Sequence, residues 1–240
     1  MSSDRLRLGT AGWNVPSARR ERIGGDGSHL TRYAARLNAV EINSSFYRPH
    51  RRTTYERWAG ATPDDFRFSV KVPRSITHTL DFTPGVVDRF IEECAGLGPK
   101  LAVLLVQLPP KHIFDLNNAQ ELFDVLRART MVPLVCEPRH ASWFADGADQ
   151  WLASQRIARV AADPARIEGA DHPGGWQGLR YFRLHGSPRI YYSSYTDEAL
   201  SGFNDRLAVA TGSDSWCIFD NTALGAAMEN ALWIRERRQL

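Results

Sequence analysis

Residues 101–137 read LAVLLVQLPPKHIFDLNNAQELFDVLRARTMVPLVCE, and the fold prediction starts from this stretch. It opens with a continuous apolar run at residues 101–108 and closes with another at residues 132–137, which is typical of strands buried on both faces of a parallel sheet. Between the runs, residues 118–129 carry apolar side chains at helical spacing, Leu122 among them. The stretch therefore predicts a strand–helix–strand unit with parallel strands.

The same alternation continues on both sides of this unit. The eight candidate strands are residues 6–9, 39–46, 66–72, 101–108, 132–137, 157–163, 179–185 and 216–220. The candidate helices are residues 29–37, 86–97, 118–129, 146–155, 196–210 and 223–238. Because open doubly wound sheets usually have fewer strands, the pattern predicts an α/β fold closed into a (β/α)8 barrel of the TIM type. We expect one domain over residues 1–240.

Two segments interrupt the regular alternation. Residues 164–178 are rich in Gly, Pro and Asp and show no helical period, so we expect an irregular link between strands 6 and 7. The first loop, residues 14–28, contains Gly24, Gly25 and Gly27 and is also expected to be irregular. Its role is left open.

The composition indicates a cytoplasmic globular protein. The hydrophobic fraction of 43% and the charged fraction of 24% are ordinary for such proteins. No run approaches the roughly 18 to 20 apolar residues of a membrane-spanning helix, and the polar residues 1–7 do not resemble a signal peptide. Cys94, Cys136 and Cys217 are far apart and odd in number, which favours reduced thiols.

The ends of the candidate strands are polar, and in barrels of this type the active site lies at the carboxyl ends of the strands. Period-two alternation places Glu41 and Asn43 on one strand face, and Ser69 and Lys71 on one face of the next strand. The polar residues that close the later strands are Gln107, Glu137, Arg139, Asp163, Arg183, His185, Asp220 and Asn221. We expect them to form a charged interior ring, which is either a ligand site or a satisfied ion network.

Several short motifs spread along the chain share one family pattern. They are Gly9-Thr-Ala-Gly-Trp13, Val40-Glu-Ile-Asn-Ser-Ser-Phe-Tyr47, Phe68-Ser-Val-Lys71, Ile76-Thr-His78, Gln107-Leu-Pro-Pro110, Glu137-Pro-Arg-His140, Arg183-Leu-His-Gly186 and Phe219-Asp-Asn-Thr222. In this order the chain resembles the DUF72 (YecE-like) family. The resemblance implies a TIM-type barrel with a polar pocket at the carboxyl ends of its strands, and it brings no established reaction with it.

One functional hypothesis is an enzyme that uses acid–base chemistry on a small anionic substrate, phosphorylated or carboxylated, or on a sugar-like one. The candidate catalytic residues are Glu41 and Glu137 as acid and base, His185 as proton shuttle, and Lys71, which is also compatible with a Schiff base. The candidate substrate-binding residues are Trp13, Asn43, Tyr47, Gln107, Arg139, Arg183, Tyr191 and Asn221. A hydrolase, lyase or isomerase reaction is open at this point, as is the oligomeric state.

Two alternatives accompany this hypothesis. No cofactor is required by any motif, but a divalent metal is a weak alternative, with the candidate ligands Glu137, Asp163, His185 and Asp220. The other alternative is a non-catalytic protein that binds a nucleotide or nucleic acid through arginines such as Arg19, Arg20 and Arg22. The net charge of +3 is too small to imply nucleic acid by itself, so a small-molecule ligand is favoured over this partner, and no membrane partner is expected.

Overall fold

The computed structural model describes residues 6–14, 26–208 and 214–239. The strands in these ranges are β1 (Leu6–Thr10), β2 (Ala39–Ile42), β3 (Arg67–Lys71), β4 (Leu101–Gln107), β5 (Leu134–Glu137), β6 (Ala158–Arg159), β7 (Ala161–Asp163), β8 (Gly174–Gly175), β9 (Leu179–Leu184) and β10 (Asp214–Phe219). The helices are α1 (His29–Ala34), α2 (Arg52–Gly60), α3 (Arg74–Thr77), α4 (Pro84–Cys94), α5 (Leu116–Arg127), α6 (Asp146–Ser154), α7 (Asp197–Ala208) and α8 (Ala226–Arg238). None of these helices has the length and apolar character needed to cross a bilayer.

The strands form two sheets that are almost entirely parallel. One sheet has the order β1-β10-β9-β7, and the other has the order β2-β3-β4-β5-β6-β8. Only the two-residue strand β8 runs antiparallel to its neighbour β6 among the pairs in the described residues. The fold is therefore a mixed α/β fold with parallel sheets, as the alternation of strands and helices predicts.

The two sheets meet at two places. Strand β1 approaches β2 through a bridge between Ala11 and Glu41, where the Gly12 amide donates to the Glu41 carbonyl at 2.8 Å. At the other meeting point, β6 and β7 are separated only by Val160, so this short stretch of chain belongs to both sheets. The Val160 amide donates to the Cys136 carbonyl of β5 at 2.8 Å, while β7 pairs with β9.

Most predicted elements lie within a few residues of the observed ones, and the differences are local. The candidate strand 39–46 ends at Ile42, because Ser44–Phe46 form a 3-10 turn. The candidate strand 157–163 is divided into β6 and β7. The irregular link 164–178 contains β8, and residues 15–25 of the first loop, with Arg19, Arg20 and Arg22, lie outside the described residues.

The apolar side chains form two clusters on opposite faces of the strands. The larger cluster joins the strands to the helices and includes Val40, Phe68 and Val70. The smaller cluster belongs to the other strand face, where its members are Ala11, Ala39, Val103, Leu105, Val135, Ala158, Val160, Leu179, Tyr181, Trp216 and Ile218. Since side chains alternate along a strand, the polar residues that follow on this second face lie above the smaller cluster, at the carboxyl ends of the strands.

Candidate functional site

A guanidinium that contacts three carboxylates lies at the centre of the candidate site. Arg183, near the end of β9, donates from Nε and Nη2 to the two oxygens of Glu41, at 3.0 and 2.8 Å. Its Nη1 donates to Glu137 Oε2 at 2.5 Å, and Nη2 also donates to Asp220 Oδ2 at 3.0 Å. All four side chains are buried. Every nitrogen of Arg183 thus has a carboxylate partner within the protein.

The ion pairs keep Glu137 and Arg183 charged although both are buried. Burial alone would raise the pKa of Glu137, but Arg183 and Arg139 outweigh it and hold the pKa well below its usual value. Burial alone would lower the pKa of Arg183, and the carboxylates of Glu137 and Glu41 reverse this effect. The charged forms are therefore the stable ones, as expected where buried charges have close partners.

His185 connects two of these carboxylates. Its Nδ1 lies 3.0 Å from Asp220 Oδ2, and its Nε2 lies 3.2 Å from Glu137 Oε1. Burial lowers the pKa of His185, but the hydrogen bonds to Asp220 and Glu137 outweigh burial, so that the pKa is raised. Because a carboxylate faces each ring nitrogen, both nitrogens need a proton to donate, and the imidazolium form is favoured.

Three carboxylates and three cations in mutual contact form what we call the ion cluster. Its members are Glu41, Glu137, Asp220, Arg139, Arg183 and His185. Arg139 joins it by donating from Nη2 to Glu137 Oε1 at 2.8 Å. With His185 protonated, the formal charges of the cluster cancel. Any further cation near the cluster then adds a positive charge that the three carboxylates do not balance.

Lys71 is such a cation. It is the last residue of β3 and is only 5% exposed. Within the described part of the chain, its Nζ has no hydrogen-bond or ion-pair partner, and it lies 4.0 Å from the centre of the Phe46 ring. Burial, followed by the positive charge of Arg183, lowers the pKa of Lys71 from 10.5 to about 8. The carboxylates of the ion cluster are close enough to oppose this shift without cancelling it.

Phe46 and His78 form the wall beside Lys71. The rings of Phe46 and His78 meet edge to face with their centres 5.0 Å apart, and His78 Nδ1 lies 2.9 Å from Thr77 Oγ1. Burial, with Lys71 as the next contributor, lowers the pKa of His78 to about 4. His78 is therefore a neutral imidazole at physiological pH.

Arg139 and Tyr191 lie at the more exposed edge of the site. The Arg139 side chain is 21% exposed, and its pKa is raised mainly by Glu137 and further by the Tyr191 side chain. Tyr191 is 39% exposed and packs edge to face on the His185 ring, with centres 5.6 Å apart. Its φ of 70° is uncommon for a residue with a side chain, which is a feature typical of functional loops.

Two of the predicted ligand-binding amides have partners inside the protein. Asn221 is fully buried, and its Nδ2 donates to the Ser193 carbonyl and to Asn230 Oδ1, both at 2.8 Å. Gln107 Nε2 donates to the Leu108 carbonyl at 2.8 Å. These contacts hold the loop after β9 and the end of β4 in place.

The predicted site residues border two separate cavities. Trp13, Asn43 and Tyr47 line a wide cavity of about 590 Å³ beside β1 and β2, into which few charged groups project. Glu137, Arg139 and His185 line a smaller cavity of about 90 Å³ below the loop that follows β7. The structure thus brings the charged candidate residues together. The aromatic side chains of Trp13 and Tyr47 lie on a neighbouring surface.

Three of the four candidate metal ligands, Glu137, His185 and Asp220, lie together, but they pair with one another and with Arg183. In residues 6–14, 26–208 and 214–239, no three His, Cys, Asp or Glu side chains form a group that would hold a metal ion. The guanidinium of Arg183 occupies the space between Glu137 and Asp220, and His185 uses both ring nitrogens on these carboxylates. A cation placed there would meet a positive charge, so the residues present do not fit a divalent metal.

Sequence reasoning missed one residue of the site, Tyr181. The Tyr181 hydroxyl lies 3.0 Å from Glu41 Oε2 and 3.0 Å from Ser69 Oγ, so it completes the partners of Glu41. Its position two residues before Arg183 on the same strand face was the available signal.

The fold and the site together define a parallel α/β protein with a charged centre at the carboxyl ends of its strands. The model of the family "Protein of unknown function DUF72" matches residues 7–240. The chain belongs to this family, which confirms the resemblance seen in the sequence.

Relatives and solved structures agree with this assignment. The chain is 32% identical over 176 residues to the UPF0759 protein YecE of Escherichia coli K12, covering 69% of this chain and 61% of that protein. It is 29% identical to the UPF0759 protein YunF of Bacillus subtilis, of which it covers 44%, so it spans only part of both relatives. DUF72 family structures from Enterococcus faecalis and Thermotoga maritima match with TM-scores of 0.81 and 0.78 at 22% and 23% identity. The first match covers 98% of this chain and 96% of the other, and the second covers 98% and 100%.

Proposed function

We propose that this protein is an enzyme that binds a small anionic substrate at the carboxyl ends of its strands and uses Lys71 in acid–base chemistry on it. The observation that carries the proposal is the unpaired, buried ammonium group of Lys71. It is a buried cation without a hydrogen-bond partner among the described residues, beside an ion cluster whose charges already cancel. A buried charge without a partner is costly, and a ligand of opposite charge removes this cost.

The neighbouring groups support distinct roles. Glu41 and Arg183 have all their partners within the protein, so the proposal gives them the role of holding the site rigid. Arg139 is bound by Glu137 through Nη2 and is 21% exposed, which suits a further contact to an anion. His185 is the group that would supply a proton near Glu137, since its pKa is raised.

We also infer that the two sheets are parts of one closed eight-stranded barrel in a single domain. In support of this, the bridge between Ala11 and Glu41 joins β1 to β2, and residues 158–163 pair with β5 and with β9. In such a barrel the ion cluster lies where TIM-type enzymes carry their active sites.

Isothermal titration calorimetry with inorganic phosphate and with pyruvate tests the proposed site. We expect the wild type to bind at least one of these anions, and Lys71→Met to lose that binding by a factor of ten or more, on the order of the contribution of a charge-assisted hydrogen bond. Lys111→Met is the matched control, because Lys111 is exposed and follows the next strand, β4. It should bind as the wild type does.

Two results would contradict the proposal. Equal anion binding by wild type and Lys71→Met would remove Lys71 from the site. Tight binding of oligonucleotides or nucleotides that is unchanged in Lys71→Met would favour the non-catalytic nucleic-acid or nucleotide binder instead.

A further inference from the structure

We propose that Lys71 is a nucleophile that forms an imine with the carbonyl group of a small 2-oxo acid. The inference deepens the proposed function and rests on it, since it names the substrate class and the bond made at the same site. It is carried by the surroundings of the Lys71 amine, the neighbouring imidazole of His78, and the partly exposed guanidinium of Arg139.

The amine of Lys71 has no hydrogen-bond acceptor among the described residues. In the part of the chain that the structure describes, no carboxylate or carbonyl oxygen accepts a hydrogen bond from its Nζ. The contrast with Lys100 is clear, because the Nζ of Lys100 donates to the carbonyls of Ala59 and Thr62, both at 2.7 Å. A lysine against an apolar ring and near other cations, as Lys71 is, can act as a nucleophile.

The charges around Lys71 favour the neutral amine. Burial and then the positive charge of Arg183 lower the pKa of Lys71 to about 8, although the negative charges of Glu41, Glu137 and Asp220 act to raise it. At pH 7 about one tenth of the molecules would then carry the neutral amine, far more than for a lysine in water. This fraction of neutral amine is enough for imine formation, because the ammonium form of Lys71 replenishes the neutral amine as it reacts.

Arg139 supplies the recognition of a carboxylate beside the carbonyl group. One arm of its guanidinium is held by Glu137, at 2.8 Å, which fixes its orientation. The Arg139 side chain is 21% exposed and also interacts with the Tyr191 side chain. A 2-oxo acid would place its carboxylate on Arg139 and its carbonyl carbon at Lys71.

The reaction balances with groups that are present in the site. The lone pair of Lys71 Nζ attacks the carbonyl carbon, the π bond to oxygen breaks, and a proton moves from nitrogen to that oxygen to give a carbinolamine. The hydroxyl then takes up a second proton and leaves as water, while the nitrogen forms the double bond of an iminium ion. The second proton is the one that the Lys71 ammonium loses when it becomes the neutral amine. His78 is neutral, and its Nε2 has no partner among the described residues, so it would take up this proton and return it to the hydroxyl.

Borohydride trapping tests this inference directly. The wild type is incubated with pyruvate and sodium borohydride, which reduces an imine to a stable secondary amine, and the product is mapped by peptide mass spectrometry. The chain has only three lysines, Lys71, Lys100 and Lys111, so the modified residue is easily assigned. We expect one reduced pyruvate per chain on Lys71, with less adduct from acetone, which has the carbonyl group but no carboxylate.

Lys71→Arg is the matched variant, because arginine keeps the positive charge but forms no imine under these conditions. We expect Lys71→Arg to retain measurable pyruvate binding in calorimetry and to give no adduct. Calorimetric binding of pyruvate by the wild type without any adduct at Lys71 would overturn the imine while leaving the proposed function in place. Absence of both binding and adduct, or equal labelling of Lys111 and Lys71, would also overturn the inference.

Discussion

Arg183 shows how one residue can organise a site without touching a ligand. Its guanidinium has five N–H groups in one plane, and the structure places Glu41, Glu137 and Asp220 around them. Because buried carboxylates repel one another unless a cation lies between them, Arg183 sets the positions of all three. The sequence predicted the members of this group, but not that every nitrogen of Arg183 would have a carboxylate partner. Alternation along a strand shows which face a side chain lies on and not which groups it contacts.

Lys71 lowers the stability of the folded protein. Its pKa of about 8 in the folded protein is lower than the 10.5 of the free side chain, so the buried ammonium is disfavoured by about 3 kcal/mol below pH 8. We therefore expect Lys71→Met to be more stable than the wild type by about 2–3 kcal/mol at neutral pH.

The pH dependence provides the check on this prediction. Between about pH 8 and pH 10.5 the folded protein releases the proton of Lys71 while the unfolded chain keeps it, so the wild type gains stability relative to Lys71→Met. Urea denaturation of both proteins across this range should show the advantage of the variant shrinking. A constant difference, or a variant less stable than the wild type at neutral pH, would show that Lys71 has a stabilising partner.

At the scale of elements, helices with a clear apolar stripe were predictable and those without one were not. Helix α5 begins at Leu116, after the side chain of Asp115 caps it, and buries Leu122, Phe123 and Leu126. By contrast, α2 buries only Tyr55, so no period of apolar residues predicted it. The short α3 is a single turn after β3, which is below the length that periodicity can detect.

The loop between β9 and α7 is the element that brings Tyr191 to the site. Gly186 begins this loop with a φ of 93°, and a Cβ there would lie 2.6 Å from the Ser193 carbonyl oxygen and 2.9 Å from Asn221 Cβ. We expect Gly186→Ala to lower the free energy of unfolding by about 2–4 kcal/mol, because it combines backbone strain with a clash. Displacement of Tyr191 and Arg139 should also weaken anion binding.

Thermal denaturation and calorimetry measure these two effects, and Gly202→Ala is the control. Gly202 lies inside helix α7, where a Cβ meets no atom within 4 Å, so this substitution should stabilise the protein by roughly 0.5–1 kcal/mol. If Gly186→Ala behaves like Gly202→Ala, the loop tolerates the added methyl group and its conformation does not depend on glycine.

At the scale of the whole molecule, side chains join the two sheets where strand pairing is sparse. The Tyr33 hydroxyl accepts from the Thr10 amide at 2.8 Å and donates to the Ala39 carbonyl at 2.9 Å. Asn38 donates to the Leu6 carbonyl at 2.9 Å and accepts from the Leu8 amide at 2.8 Å. These contacts take the place of ladder hydrogen bonds between β1 and β2.

Tyr33→Phe tests the importance of this connection. The substitution would leave the Thr10 amide and the Ala39 carbonyl unpaired and buried, so we expect a loss of about 2–4 kcal/mol in the free energy of unfolding. Tyr55→Phe is the matched control, because Tyr55 is equally buried but its hydroxyl has no hydrogen-bond partner in the described part of the chain. Urea denaturation that shows equal stability for both variants would mean that water replaces the Tyr33 hydroxyl.

The α/β class, the parallel strands and the charged strand ends could be predicted because they depend on short-range patterns. The sparse contact between β1 and β2 could not, because Tyr33 and Asn38 lie in a helix and a loop and reach the strands only in three dimensions. The single domain over residues 1–240 and the closed barrel remain predictions, supported by the contacts at both meeting points of the sheets.

The ion cluster also restricts how the sequence can change over time. Neutralising Glu41 alone would leave Arg183 short of a partner, and replacing Arg183 alone would leave three carboxylates together without their common cation. Each single step passes through an unstable protein, whereas paired changes that keep the charges equal avoid this. Residues 41, 137, 183 and 220 should therefore vary together among relatives.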